Sequence, residues 1–276
     1  MMADALFAAL AGASGSGAGG LGGGLVVLAA VTFVAAAVNS VAGGGTILTF
    51  PVLAAILPPG PDRLVVANAT STIGLWPGSL AAAWAYRGER TGQPPLTRWL
   101  AVPSLLGAAL GAALVVVMPP AWFDVLVPWL ILAAAVLFAA QPRITRLASA
   151  PGATPRPGLA CGLQFLVAVY GGYFGAGIGI LMLAMLGLLG LGDIHRLNAV
   201  KNVLGTLING TAAALFTAGS LAGSQTVSWS HAGVMAASAV AGGLAGSAVA
   251  RRLPAKIVRR CVALIAFALA GYYFVT

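Results

Sequence analysis

Acidic side chains are almost missing from this chain: there are five Asp and Glu in 276 residues. Asp4, Asp62, Glu89, Asp124 and Asp193 lie in the leader, in loops or at the ends of apolar runs. A cation pathway or a carboxylate proton relay through the interior would need such residues inside. Charge of either sign is scarce, at 7% of residues against 60% hydrophobic, with a mean hydropathy of +0.99. Soluble domains carry about a quarter charged residues, so the composition points to an integral membrane protein. Cysteine is also sparse: Cys161 and Cys261 sit in apolar stretches without metal spacing and read as small hydrophobes. His195 and His231 are near span ends and make a poor metal pair. Without a cluster of His, Cys or carboxylates, or a convergent Ser/His/Asp set, a membrane enzyme or assembly factor is disfavoured. The sequence carries no cofactor motif and no P-loop. The net charge of +9 marks the cytoplasmic ends of spans rather than a nucleic-acid surface.

What the chain does have is long apolar runs, at about 25–57, 64–86, 99–118, 122–140, 158–191, 197–218, 229–250 and 257–275. Six of these suit a single span of roughly 20 residues. The first and fifth reach about 33 residues, near 50 Å as one helix and too long for a core of about 30 Å. Both are broken by glycine, at "AGGGT" (Ala42 to Thr46) and "GGYFGAGIG" (Gly171 to Gly179). Basic clusters at Arg87, Arg90 and Arg98, at Arg143, Arg146 and Arg156, and at Arg251, Arg252, Lys256, Arg259 and Arg260 mark cytoplasmic loops. The stretches 118–124 and 219–228 lack Lys and Arg and should face outside. Counting spans puts Asp62 outside and Asp193 inside, so each long run begins and ends on one side as a hairpin turning at its glycines. Both termini are expected outside, with residues 1–24 as a flexible leader.

The two halves match at a spacing of about 130 residues. "GGGTIL" (Gly43 to Leu48) aligns with "AGIGIL" (Ala176 to Leu181), "ANATST" with "LNAVKN", and "PGSLAAAW" with "NGTAAALF". With one hairpin and three spans per half, the halves are expected as inverted repeats, 25–140 and 158–276, joined by a cytoplasmic linker at 141–157. Paired helix breaks in inverted repeats point to a transport site near the midplane. Helix N-termini after a break expose backbone N–H groups to an anion. Charges are scarce inside the apolar runs and Lys201 stands out among them; it either faces the site or snorkels to the cytoplasmic interface. Candidate anion-binding positions are Gly43, Gly44, Gly45 and Thr46 in the first break and Gly175, Gly177 and Gly179 in the second. Asn68, Ser71, Lys201 and Asn202 on the following helices complete the set. Tyr170 and Tyr173 line the second turn or pack there. Gly107 with Gly111, and Gly242 with Gly246, have helix-packing spacing.

The stretches "AVNSVAGGGTILTFPVL", "ANATSTIGLWPGSLAAAWAYRGE" and "GGYFGAGIGILMLAMLGLLGLGDIHRLNAVKNVLGTLINGTAAALF" resemble the sulfite exporter TauE/SafE family, also called the toluene sulfonate uptake permeases, from about Val26 onward. The resemblance implies a multi-spanning transporter of the bacterial inner membrane that moves sulfite, sulfonates or sulfoacetate, usually outward. Many members carry a proline after each glycine run. Here Pro51 keeps the first and Ala184 stands in the second place, so the two hairpins are expected to bend differently. The expected protein is an all-α secondary transporter for a small sulfur-containing oxyanion, not an enzyme and without cofactor or metal. A passive anion channel and an uptake permease for a related anion are the alternatives. Its expected partners are the anion and the lipid bilayer, with no nucleic acid, and a homo-oligomer is left open.

Overall fold

The computed structural model describes residues 18–41, 43–87, 96–148, 157–188, 194–224, 227–249 and 255–275. Asp4, Glu89, Arg90, Arg156, Asp193, Arg251 and Arg252 lie outside these residues, as does the 149–156 part of the 141–157 linker.

Glycine dictates where the two long runs break. Helix α1 (Ala18–Val41) closes its last turn with Gly43 N–H donating to the Asn39 carbonyl at 3.1 Å. Gly43 and Gly44 then adopt φ of 75° and 108°, a region that costs glycine nothing. Helix α2 (Thr46–Ile56) follows. After α3 (Arg63–Ala85), the short α4 (Leu96–Trp99), α5 (Ala101–Val117) and α6 (Pro120–Ala148), the pattern returns. Helix α7 (Pro157–Tyr173) ends with the N–H groups of Phe174 and Gly175 both donating to the Tyr170 carbonyl. Gly175 and Gly177 take φ of 80° and 78°, and α8 (Ile178–Leu188) starts. Helix α9 (Ile194–Gly219) runs into a π-helical turn at Ser220–Ser224, and α10 (Trp229–Val249) and α11 (Ala255–Val275) complete the chain.

Both half-helices, α2 and α8, have 11 residues, which at 1.5 Å each is about half a bilayer core. Pro51 lies inside α2, yet α8, with Ala184 instead, has the same length. Helix α1 begins at Ala18, within the stretch expected as leader, and α6 continues to Ala148, into the expected linker.

No strand occurs among the described residues, and large apolar side chains face outward, Val125, Leu166 and Leu264 each being 64–67% exposed. Gly22–Ser40, Pro120–Arg143 and Leu197–Gly223 are long and apolar enough to cross a membrane. The molecule is an all-α membrane protein.

Helix pairing comes in matched couples: α5 packs on α7 as α10 packs on α1, and α5 packs on α9 as α10 packs on α3. Helix α6 lies against α8 as α11 lies against α2. The expected packing glycines form two of these seams. Gly107 and Gly111 press on the α7 carbonyls of Phe165 and Val169, and Gly242 and Gly246 press on α1 at Phe33 and Ala37. Any side chain there would push the helices apart, which is why small residues favour close helix contact in membranes.

Candidate functional site

The two breaks cross in direct backbone contact at the centre of the protein. A Cβ on Gly43 would stand 2.5 Å from the Gly179 Cα and 2.8 Å from its nitrogen, and one on Gly44 would stand 2.8 Å from the Gly177 nitrogen. Beside this crossing, α3 and α9 meet. Trp76 Nε1 donates to the Thr206 carbonyl at 3.2 Å, and Thr206 Oγ1 donates to the Ser79 carbonyl at 3.0 Å.

A small cavity opens against the crossing. Gly43, Gly179, Lys201 and Asn202 line it, together with Asn39, Ser79, Thr206 and Asn209. Its volume is about 20 Å³, room for about one ordered water. Lys201, Asn202, Gly205, Thr206 and Asn209 fall at helical spacing along one face of α9, so a single helix supplies most of the polar wall. Lys201 is 2% exposed and sits in this wall rather than at the surface. Asn202 Nδ2 makes a long 3.5 Å contact to the Ser40 carbonyl near the end of α1.

Thr46, Asn68, Ser71 and Gly175 have their contacts elsewhere around the breaks. Asn68 is fully buried, and its Nδ2 donates to the Tyr173 carbonyl at 2.9 Å. Its Oδ1 has no partner. Ser71 Oγ lies 2.6 Å from Thr49 Oγ1, tying α3 to α2. Thr46 Oγ1 and Asn209 Oδ1 would stand 3.7 and 3.9 Å from a Cβ on Gly175. Asn209 thus borders both Gly175 and the cavity. Thr46, Asn68, Ser71 and Gly175 do not line the cavity that holds Lys201.

The first break was expected to offer its amides to an anion, and these are already engaged. Gly43 N–H closes the last turn of α1. Asn39 Oδ1 accepts from Gly44 N–H at 2.9 Å and from Gly45 N–H at 3.4 Å, while Asn39 Nδ2 donates to Ser79 Oγ at 3.2 Å. At the second break it is a carbonyl that is engaged: the Tyr170 hydroxyl donates to Ala176 O at 2.7 Å. Asn39, Ser79, Thr206 and Asn209 were not singled out from sequence, although the first, second and fourth fall within the stretches that carry the breaks and the repeat.

Aromatic rings of α2 and the second break pack together with rings of α6 and α11. Phe50 of α2 packs edge-on to Phe174 at 5.4 Å between centroids and lies 6.4 Å from Phe123 and 6.2 Å from Tyr273. Phe123 also lies 5.5 Å from Tyr173. Phe50, Phe123 and Phe174 are at most 2% exposed.

Among the described residues, no group of three or more His, Cys, Asp or Glu side chains is placed to hold a metal ion. His231 Nδ1 pairs with Ser228 Oγ at 2.8 Å at the start of α10. Trp84, Trp99, Trp122 and Trp229 are 48–67% exposed, as side chains of an interfacial belt are.

The chain is 28% identical over 249 residues to a probable membrane transporter protein, ORF9, of Sinorhizobium sp, covering 89% of this chain and 90% of that one. It is also 28% identical over 251 residues to a probable membrane transporter protein of Haemophilus influenzae, covering 88% and 91%. No solved structure matches. The family model described as sulfite exporter TauE/SafE matches residues 28–273, nearly the full length, and the chain belongs to that family of membrane transporters.

Proposed function

We propose that the protein is a secondary transporter that carries a small sulfur-containing oxyanion, sulfite or a short organosulfonate, outward across the bacterial inner membrane. The observation that carries this reading is the meeting of a buried lysine, Lys201, with the backbone of a broken half-helix at Gly179 in one central cavity. A cation and the positive end of a helix dipole together favour negative charge. Asn202, Thr206 and Asn209 add polar groups for the anion's oxygens.

The matched helix couples support two inverted repeats, and the basic loops orient them with the termini outside and the Lys201 side cytoplasmic. In that arrangement the cavity faces the cytoplasm and the ring cluster around Phe50 closes the outer side. Thr46, Asn68, Ser71 and Gly175 would meet the cargo on its way out. A cavity of about one water is smaller than any polyatomic oxyanion, so binding and release need the half-helices to move, as alternating access requires. The packed rings argue against an open anion channel. An inside-negative potential is worth about 2.3 kcal/mol per charge per 100 mV, enough to expel an anion without a coupling ion.

Labelled sulfite flux in proteoliposomes, with other oxyanions as competitors, tests the reading. The unmodified protein should show saturable flux, and Lys201→Gln should lower it by about tenfold or more. Flux indifferent to the substitution would remove Lys201 from the site. Absence of flux with any oxyanion would overturn the function.

A further inference from the structure

The repeat places Ala176 opposite Gly43, and the same alignment sets Gly172 opposite Asn39. The first half therefore carries an amide side chain where the second half carries none. That side chain engages two backbone donors of its own break, Gly44 N–H and Gly45 N–H, and anchors itself to α3 through Ser79 Oγ. While Asn39 holds them, these amides cannot turn toward cargo. The first break then presses on the second: Gly43 fits against Gly179 with no room for a single added carbon. Asn39 and Gly179 both border the cavity of Lys201.

We propose that Asn39 is a positioning residue that makes anion binding asymmetric. By occupying the donors of the first break it holds Gly43 as a fixed buttress under Gly179. The anion is then bound by the start of α8 and Lys201, and not by both glycine runs equally. This inference rests on the anion-transport reading and adds which break binds and what holds it.

The test is the concentration dependence of labelled sulfite flux in proteoliposomes for Asn39→Ala and Asn39→Ser. Alanine has no acceptor, whereas the serine hydroxyl is a short acceptor of the kind that serves exposed N–H groups at helix starts. Asn39→Ala should raise KM about tenfold with kcat within about threefold, the mark of lost binding rather than lost turnover. Asn39→Ser should recover most of the KM. An unchanged KM in Asn39→Ala overturns the inference, and so does a lowered one, which would mean that the freed Gly44 and Gly45 amides bind the anion themselves. Equal losses of kcat, KM and melting temperature in both variants would mean a purely structural role and also overturn it. If Asn39→Ala does not fold, Asn39→Gln replaces it: the longer side chain misplaces the acceptor, and KM should stand above that of Asn39→Ser. Saturable wild-type flux with a KM indifferent to residue 39 defeats this inference alone. No saturable flux of any oxyanion in the unmodified protein defeats the transport reading beneath it as well.

Discussion

The two glycine breaks come from similar sequences and hold their backbone in opposite ways. At the first, a side-chain carbonyl, Asn39 Oδ1, takes the N–H groups of Gly44 and Gly45. At the second, a side-chain hydroxyl, that of Tyr170, gives its proton to the Ala176 carbonyl. By their side-chain ties, one break has donors held and the other an acceptor, although at the second break Gly175 N–H is also held, by the Tyr170 carbonyl. Their surroundings differ too. A Cβ on Gly44 would stand 2.7 Å from a Phe138 ring carbon, whereas one on Gly177 would meet nothing nearer than 3.8 Å. The turn itself is a local property of glycine, while the polarity it presents and the room around it belong to its neighbours.

That contrast can be broken most forcefully at Gly44. Gly44→Ala combines strain at φ 108° with overpacking against Phe138 and Gly177, terms of about 1–3 kcal/mol each. The variant should lose about 4 kcal/mol of stability, read as a large drop in the unfolding midpoint of the purified protein in bicelles. Removing the tie at the second break should cost less. Tyr170→Phe leaves the Ala176 carbonyl without its donor, a loss of about 1–2 kcal/mol, measurable in the same unfolding series. The smallest effect is expected at Gly177→Ala, where only the positive φ of 78° is penalised, by about 1 kcal/mol. Equal losses at Gly44 and Gly177 would erase the distinction between a packed first break and a roomier second one.

Much of this architecture was legible in the residues. Apolar runs of about 33 residues cannot cross a bilayer once, and the glycines inside them marked where α1 gives way to α2 and α7 to α8. The packing glycines of α5 and α10 were readable from their four-residue spacing, because that spacing places them on one helix face. The candidate site was legible only in part. Lys201, Asn202, Gly43 and Gly179 meet in one cavity, but Asn68 and Ser71, read as their equals, do not line it and are bonded to Tyr173 and Thr49. Spacing tells which residues of one helix share a face, and it carries no information about which side of a neighbouring turn that face meets. Asn39 escaped for a related reason. An asparagine at the end of an apolar helix reads as polar decoration until the chain folds back and brings Gly44 and Gly45 within reach of its side chain.

The sequence by itself determined the solvent, the class and the breakpoints. A chain with 7% charged residues must satisfy its backbone internally in lipid, so it becomes helices, and glycine is the residue that lets a helix stop within the membrane at little cost. Only the tertiary structure decided that Lys201 shares a cavity with Gly43 and Gly179. It also decided that rings from α2, α6, α11 and the second break pack into one cluster. Those outcomes depend on contacts between segments more than 40 residues apart in sequence, such as Phe50 with Phe174 and Gly43 with Gly179, and no local pattern encodes them.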